Sequence, residues 1–173
     1  TIFEEGILRH ACIIPVGGEY VTSDIALGVR VSVDVAEKLK TDYADLTFCD
    51  LAKPKDEEIA LSRIDKKETE TVSKLYLAQI AQARYKEILS LVNAELKKLG
   101  RDGMLPEGAV FVGGGSKARN LIELAKSELR LPCSIGFPED QEYVTGTSVS
   151  DPGFAGAIGA LLLSQRVGGM NKG

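Results

Sequence analysis

Three glycines and a serine, Gly113-Gly114-Gly115-Ser116, follow directly on the apolar run Ala109-Val110-Phe111-Val112 and lead into a segment of helical spacing. Glycines at a strand end let a ligand approach the backbone, and a helix start offers free N–H donors to an anion. Nucleotide binding is the chemistry this suggests. The run has neither the GxxxxGK[ST] lysine of a P-loop nor the GxGxxG spacing of a Rossmann fingerprint, and a tight turn that merely packs is the competing reading. Gly17-Gly18, also ahead of a helical segment, admits the same two readings. Glu37 and Lys40 share one helical face. They could grip a ribose hydroxyl and an adenine edge, or form a plain surface ion pair worth well under ~1 kcal/mol. Arg84 interrupts an apolar stripe with Glu87 three residues on, a spacing that predicts a structural salt bridge. His10 is the single histidine. Ser-His-Asp, Cys-His and polyhistidine arrangements are therefore not expected, and His10 reads as a satisfied core or edge residue on a strand. No residue is assigned a catalytic or metal-binding role.

These groups must be held by a chain of 173 residues, 44% hydrophobic, with 21 Lys+Arg against 25 Asp+Glu and a net charge of −4. That length and composition fit one globular domain, or one domain divided into two small lobes. A pI near 5.2 disfavours a nucleic-acid partner, which needs clustered positive charge. Cys12, Cys49 and Cys133 have the spacing of neither a disulfide framework nor a zinc site, which fits a reducing cytoplasm. The apolar stretch Phe154 to Leu163 is shorter than the roughly 20 residues of a membrane span, and no signal-peptide pattern opens the chain.

The chain opens as a hairpin around Glu4-Glu5-Gly6, with Ile7 to Ile14 alternating. Its first strand has so few residues that the chain is expected to begin inside an element. After Pro15-Val16-Gly17-Gly18, Thr22, Ile25, Ala26 and Leu27 predict a short helix stopped at Gly28, and a second helix follows from about Asp34. Tyr43 to Asp56 is mixed and polar. Ile59, Leu61 and Ile64 alternate as a strand, and Asp65 to Glu70 reads as a solvated turn. From about Ser73 to Leu99, Leu77, Ile80, Ala81, Ile88, Leu91, Val92, Leu96 and Leu99 mark a long amphipathic helix ended by Gly100. Ala109 to Val112 reads as a strand covered on both faces. Leu121, Leu124, Ala125 and Leu129 predict a helix, Leu131 to Ile135 a strand, and Gly136 to Ser150 a polar loop. Asp151-Pro152 caps a final small-residue helix, and Val167 to Gly173 reads as a flexible tail. Strands alternating with helices behind an antiparallel start predict an α/β fold with a mixed sheet.

Several segments resemble the FtsA family of actin/Hsp70-like ATPases. Glu4-Glu5-Gly6 with Leu8-Arg9, Ile14 to Gly18, Val21 to Ala26 and Ala36 to Lys40 occur in that family's order. So do Ala83 to Ile88, Leu105 to Gly108, Val112 to Gly115, Leu124-Ala125 and Ile135 to Pro138. The resemblance covers nearly the whole chain. It implies an actin-like ATPase lobe, ribonuclease-H-like, with a mixed sheet flanked by helices and a small inserted subdomain. Residues 1–16 and 73–173 would form subdomain IIA of the second large lobe, and 17–72 subdomain IIB. By the family pattern Gly113, Gly114 and Gly115 form the adenosine-side turn, and Glu37 and Lys40 fall where related proteins hold ribose and adenine; Ser116, Gly17 and Gly18 join them as nucleotide-binding candidates from the residue reading alone.

The resemblance also implies elements outside this sequence: a first lobe, a phosphate loop ending just before Thr1, and an amphipathic C-terminal membrane helix. The chain alone is accordingly expected to bind ATP weakly or not at all and not to hydrolyse it. The implied full-length function is an ATP- and magnesium-using adaptor that tethers FtsZ to the cytoplasmic face of the inner membrane, forms actin-like filaments and meets other division proteins. The acidic, apolar FtsZ tail is expected at Lys97, Lys98 and Arg101, for which a solvated helix end is the plainer reading. The alternatives are an actin-like ATPase of type IV pilus assembly (PilM-like) and an isolated interaction module without nucleotide use, which flanking sequence would separate.

Overall fold

A computed structural model describes residues 1–52, 55–138 and 150–170, with the side chains of 166–170 left aside. Strands β1 (Ile2–Glu4) and β2 (Ile7–His10) pair antiparallel. Glu5 and Gly6 both take positive φ, 53° and 75°. That pair of angles makes the two-residue turn whose twist matches the strands it joins.

Helix α1 (Gly18–Val29) and helix α2 (Val33–Asp42) pack on each other through Val21, Ile25, Val35, Ala36 and Leu39, all buried. The expected stop at Gly28 is incorrect: α1 runs through it and ends at Arg30 in a left-handed conformation. Gly28 is there for space, since a Cβ on it would lie 2.6 Å from Ile80 Cδ1 on the neighbouring long helix. Ser32 caps α2 by accepting from Val35 N–H.

Strand β3 (Glu58–Ala60) pairs antiparallel with β4 (Thr71–Ser73). The alternating run expected as far as Ile64 breaks after Ala60 into a 3-10 turn at Leu61–Arg63. The charged turn between them is held partly by Lys67 N–H donating to Asp65 Oδ1.

Helix α3 (Lys74–Lys98) is the hub. Ser73 caps its start by accepting from Tyr76 N–H. At its end Gly100 takes φ 63°, while Gly100 N–H donates to Lys97 C=O and Arg101 N–H to Leu96 C=O. These two bonds form a Schellman closure. The buried stripe is Leu77, Ala78, Ala81, Gln82, Tyr85, Leu89 and Leu96. Leu91 and Leu99, expected in it, are exposed. α1 covers one side of α3 and α4 (Leu121–Leu129) another, so the covered face is wide enough to take in polar Gln82 and Tyr85.

Strand β5 (Ala109–Phe111) pairs parallel with β6 (Cys133–Ile135). It is not covered on both faces: Val110 is 63% exposed, while Ala109 and Phe111 pack against the core. The expected polar loop falls mostly at 139–149, outside the described residues. Asp151 then caps a 3-10 turn, Pro152–Phe154, by accepting from Gly153 N–H, and helix α5 follows (Ala155–Met170). The tail expected to be flexible from Val167 is helical to Met170. Residues 171–173 lie outside the described residues. The α/β class with strands of both directions stands, distributed among the described residues over three two-stranded units. No helix among them is long and apolar enough to cross a membrane.

Candidate functional site

Gly17 precedes α1 in extended conformation, and among the described residues no atom lies within 4 Å of where a Cβ would stand on Gly17, Gly113 or Gly114. Among the described residues both glycine turns therefore border open space. Gly113 takes φ 89°, which favours glycine, and a 3-10 turn (Gly114–Lys117) follows it. Ser116 is buried; its hydroxyl donates to Gly113 C=O at 2.7 Å. It closes the turn from within. Gly113 N–H donates to Pro152 C=O at 2.7 Å, and Lys117 pairs with Asp151 at 2.7 Å, so the turn leans on the segment that starts α5.

Glu37 and Lys40 are more than a surface pair. Lys40 Nζ donates to Glu37 Oε2 at 2.6 Å, Thr22 Oγ1 at 2.8 Å and Gly18 C=O at 3.3 Å. Its three protons thus have three acceptors. Thr22 donates in turn to Glu37 Oε2 at 2.5 Å. The network joins the start of α1 to the exposed face of α2, and Lys40 is only 16% exposed while Glu37 is 50% exposed. Burial pushes the Glu37 carboxyl up, but the hydrogen bonds from Lys40 and Thr22 outweigh it and hold the group below its ordinary range. A depressed carboxyl stabilises the fold above its unfolded value, about 4.3, and loses that contribution as pH falls through the lower folded value. The wild type should therefore melt above Glu37→Gln at neutral pH. The two thermal curves should converge below about pH 4; a gap that persists or grows in acid contradicts the network's role.

Tyr85 anchors the glycine turn and lies within the field of the Glu37 charge. Its hydroxyl donates to Gly115 C=O at 3.1 Å. Burial pushes the phenol up, and the Glu37 charge adds to the shift. Neither Tyr85 nor Thr22 is singled out by the sequence: one sits in an apolar stripe, the other in a helix. The available signal was a phenol on a buried face and a hydroxyl one turn beyond Gly18.

Arg84 pairs with Glu87 at 2.6 Å as its spacing predicts, and also grips Asp24 of α1 through Nε at 2.6 Å and Nη2 at 3.0 Å. It clamps α1 to α3. Lys98 pairs with Glu95 at 2.5 Å and Arg101 with Glu4, so two of the three basic residues at the end of α3 already face carboxylates. His10 is not satisfied as expected. Its Nε2 is shielded from solvent and makes no hydrogen bond among the described residues, with Glu95 Oε2 at ion-pair distance, 3.5 Å.

The family model for "Cell division protein FtsA" matches residues 1–159. The cell division protein FtsA of Pseudomonas aeruginosa is 34% identical over 164 residues, covering 94% of this chain and 38% of that protein. FtsA of Bacillus subtilis is 30% identical over 154 residues, covering 86% of this chain and 34% of that protein. The chain thus spans less than two-fifths of the curated relatives it matches. Among solved structures, MreB5 of Spiroplasma citri bound to ADP matches 92% of this chain and 48% of its own, with a TM-score of 0.63 at 16% identity. That likeness gives the fold. The chain belongs to the FtsA family of cell-division proteins and has an actin-like α/β fold.

Proposed function

We propose that this chain is the second large lobe of an ATP-binding actin-like division adaptor and supplies the adenosine side of its nucleotide cleft. The larger part would be residues 1–16 and 73–173, with 17–72 as the smaller inserted subdomain. The observation that supports the reading best is the run of groups from Gly18 through Thr22, Lys40 and Glu37 to Tyr85 and Gly115, bordered by open space at Gly17, Gly113 and Gly114. Glycines leave room for a base and sugar, and the half-exposed Glu37 carboxylate, held in place by Lys40, keeps lone pairs free to accept from a ribose hydroxyl. The actin-like neighbour bound to ADP is consistent with this use of the fold. Magnesium would accompany the phosphates; no residue of this chain is assigned to it. The match to FtsA favours this reading over the pilus-assembly one.

In the full-length protein, Lys40→Ala should weaken ATP and ADP binding equally, by about tenfold or roughly 1.4 kcal/mol in titration calorimetry. Equal loss follows because the lysine serves the nucleoside and not the terminal phosphate. An unchanged affinity would remove Lys40 from the site.

The adaptor reading includes FtsZ tethering at the inner membrane, through a membrane segment outside this chain, and assembly into filaments. The acidic FtsZ tail would bind near Lys97, Lys98 and Arg101, exchanging the carboxylates of Glu95 and Glu4 for its own. Reversing all three charges should lower affinity for a tail peptide at least about tenfold, with a flatter salt dependence. Unchanged affinity in fluorescence anisotropy would place the tail elsewhere.

A further inference from the structure

We propose that His10, Cys12 and Glu95 form a binding site for a zinc-class divalent cation, separate from the nucleotide reading. His10 ends β2 and Cys12 lies two residues on, which in extended chain sends both side chains to the same side. Glu95 reaches them from α3. One ligand atom from each residue lies within 4.8 Å of the other two.

Nitrogen, sulfur and carboxylate oxygen together are a borderline-soft donor set, suited to zinc and cobalt and poorly suited to magnesium or calcium. The state of each ligand fits. His10 Nε2 is shielded and makes no hydrogen bond among the described residues, and its ion-pair neighbour at 3.5 Å, Glu95, is itself one of the three ligands. Cys12 is an exposed free thiol. Glu95 divides its oxygens: Lys98 binds Oε1 at 2.5 Å, while Oε2 faces His10 at 3.5 Å. Lys98 thus orients the carboxylate as an outer partner would and leaves the nearer oxygen to the ion.

With metal bonds of about 2.0 to 2.3 Å, tetrahedral ligands stand roughly 3.3 to 3.8 Å apart, so the set must close by about an ångström. Cys12, outside β2 and exposed, can make that movement by a side-chain rotation. The three residues border a cleft of about 840 Å³ between the hairpin and β5, lined also by Ile14 and Val92. That cleft gives the ion an entry path and leaves a fourth coordination position for water or an incoming ligand, the arrangement of an open site.

Cobalt(II) titrated into the reduced chain, without nucleotide, tests this. One equivalent should bind with a thiolate-to-cobalt charge-transfer band that zinc abolishes by displacement. Cys12→Ser should remove the band, while the pair Cys49→Ser and Cys133→Ser should leave it intact. His10→Gln and Glu95→Gln should each weaken binding at least about tenfold, in the range that loss of even an outer-sphere partner produces. Far-ultraviolet circular dichroism should show each variant folded; any variant that is not is replaced by competition at the intact site, in which zinc protects Cys12 from alkylation and leaves Cys49 unprotected. Failure of cobalt to saturate the wild type, a band that survives Cys12→Ser, or affinity indifferent to His10→Gln overturns the site.

Discussion

Gly108→Ala should be among the most damaging single changes available in this chain, costing about 4 kcal/mol and lowering the melting temperature by roughly 8 to 16 °C for a domain of this size. Two effects combine. Gly108 takes φ 79°, a region an L side chain enters at a cost of about 1 to 2 kcal/mol. A Cβ there would also meet Pro132 O at 2.1 Å and Pro132 C at 2.7 Å. Neither atom can step aside, because Pro132 C=O accepts from Ala109 N–H at 2.8 Å at the start of the β5–β6 pairing. The clash must push apart the parallel pair that leads into the glycine turn. Gly100→Ala is the control. It has nearly the same angle, φ 63°, but nothing among the described residues within 4 Å of its Cβ position, so it should lose only the conformational part, about 1 to 2 kcal/mol. Equal losses in the two variants would show that the contact with Pro132 does not matter.

Gly114→Val should have the opposite profile, harmless to folding and severe for nucleotide. A Cβ at Gly114 meets nothing within 4 Å among the described residues, and its φ is not in the positive region. The change should alter stability by about 1 kcal/mol or less. If the adenosine lies against this turn, an isopropyl group occupies its place. Affinity for ATP in the full-length protein should then fall by about a hundredfold, near 2.7 kcal/mol. Gly115→Val would be a poorer probe, since its Cβ would stand 4.0 Å from the Tyr85 hydroxyl that anchors the turn. A Gly114→Val protein that melts like the wild type and binds ATP like the wild type moves the nucleoside away from residues 113–116.

Signals carried by local chemistry were legible in the sequence. The hairpin turn at Glu5-Gly6, the Gly100 stop and the Asp151 cap each depend on a few adjacent residues, and each forms where the residue types place it. Gly28 was misread because a glycine near a helix end can stop the helix or admit a neighbour; the neighbour, Ile80, lies 52 residues away. Val110 was misread because an all-apolar run does not say how many faces are covered. The charged pair of Glu37 and Lys40 was visible from its spacing, whereas its third member, Thr22, comes from another helix. Tyr85 was hidden by its own apolar ring in a buried stripe; only the fold shows its hydroxyl reaching Gly115. His10, Cys12 and Glu95 were hidden more completely, because 83 residues separate Cys12 from Glu95 and only tertiary contact brings them within 4.8 Å.

The central claim is that the two glycine turns and the Glu37–Lys40 pair face one nucleoside. Hydrogen exchange of the full-length protein with and without ATP and magnesium tests it most directly. Bound nucleotide should slow exchange at the start of α1, residues 18–22, and at the turn, residues 113–117, together and with the same dependence on ATP concentration, while the exposed turn at 65–70 stays unchanged. Saturating ATP that leaves both segments exchanging as they do without it, or protects them only at different concentrations, would contradict a shared site.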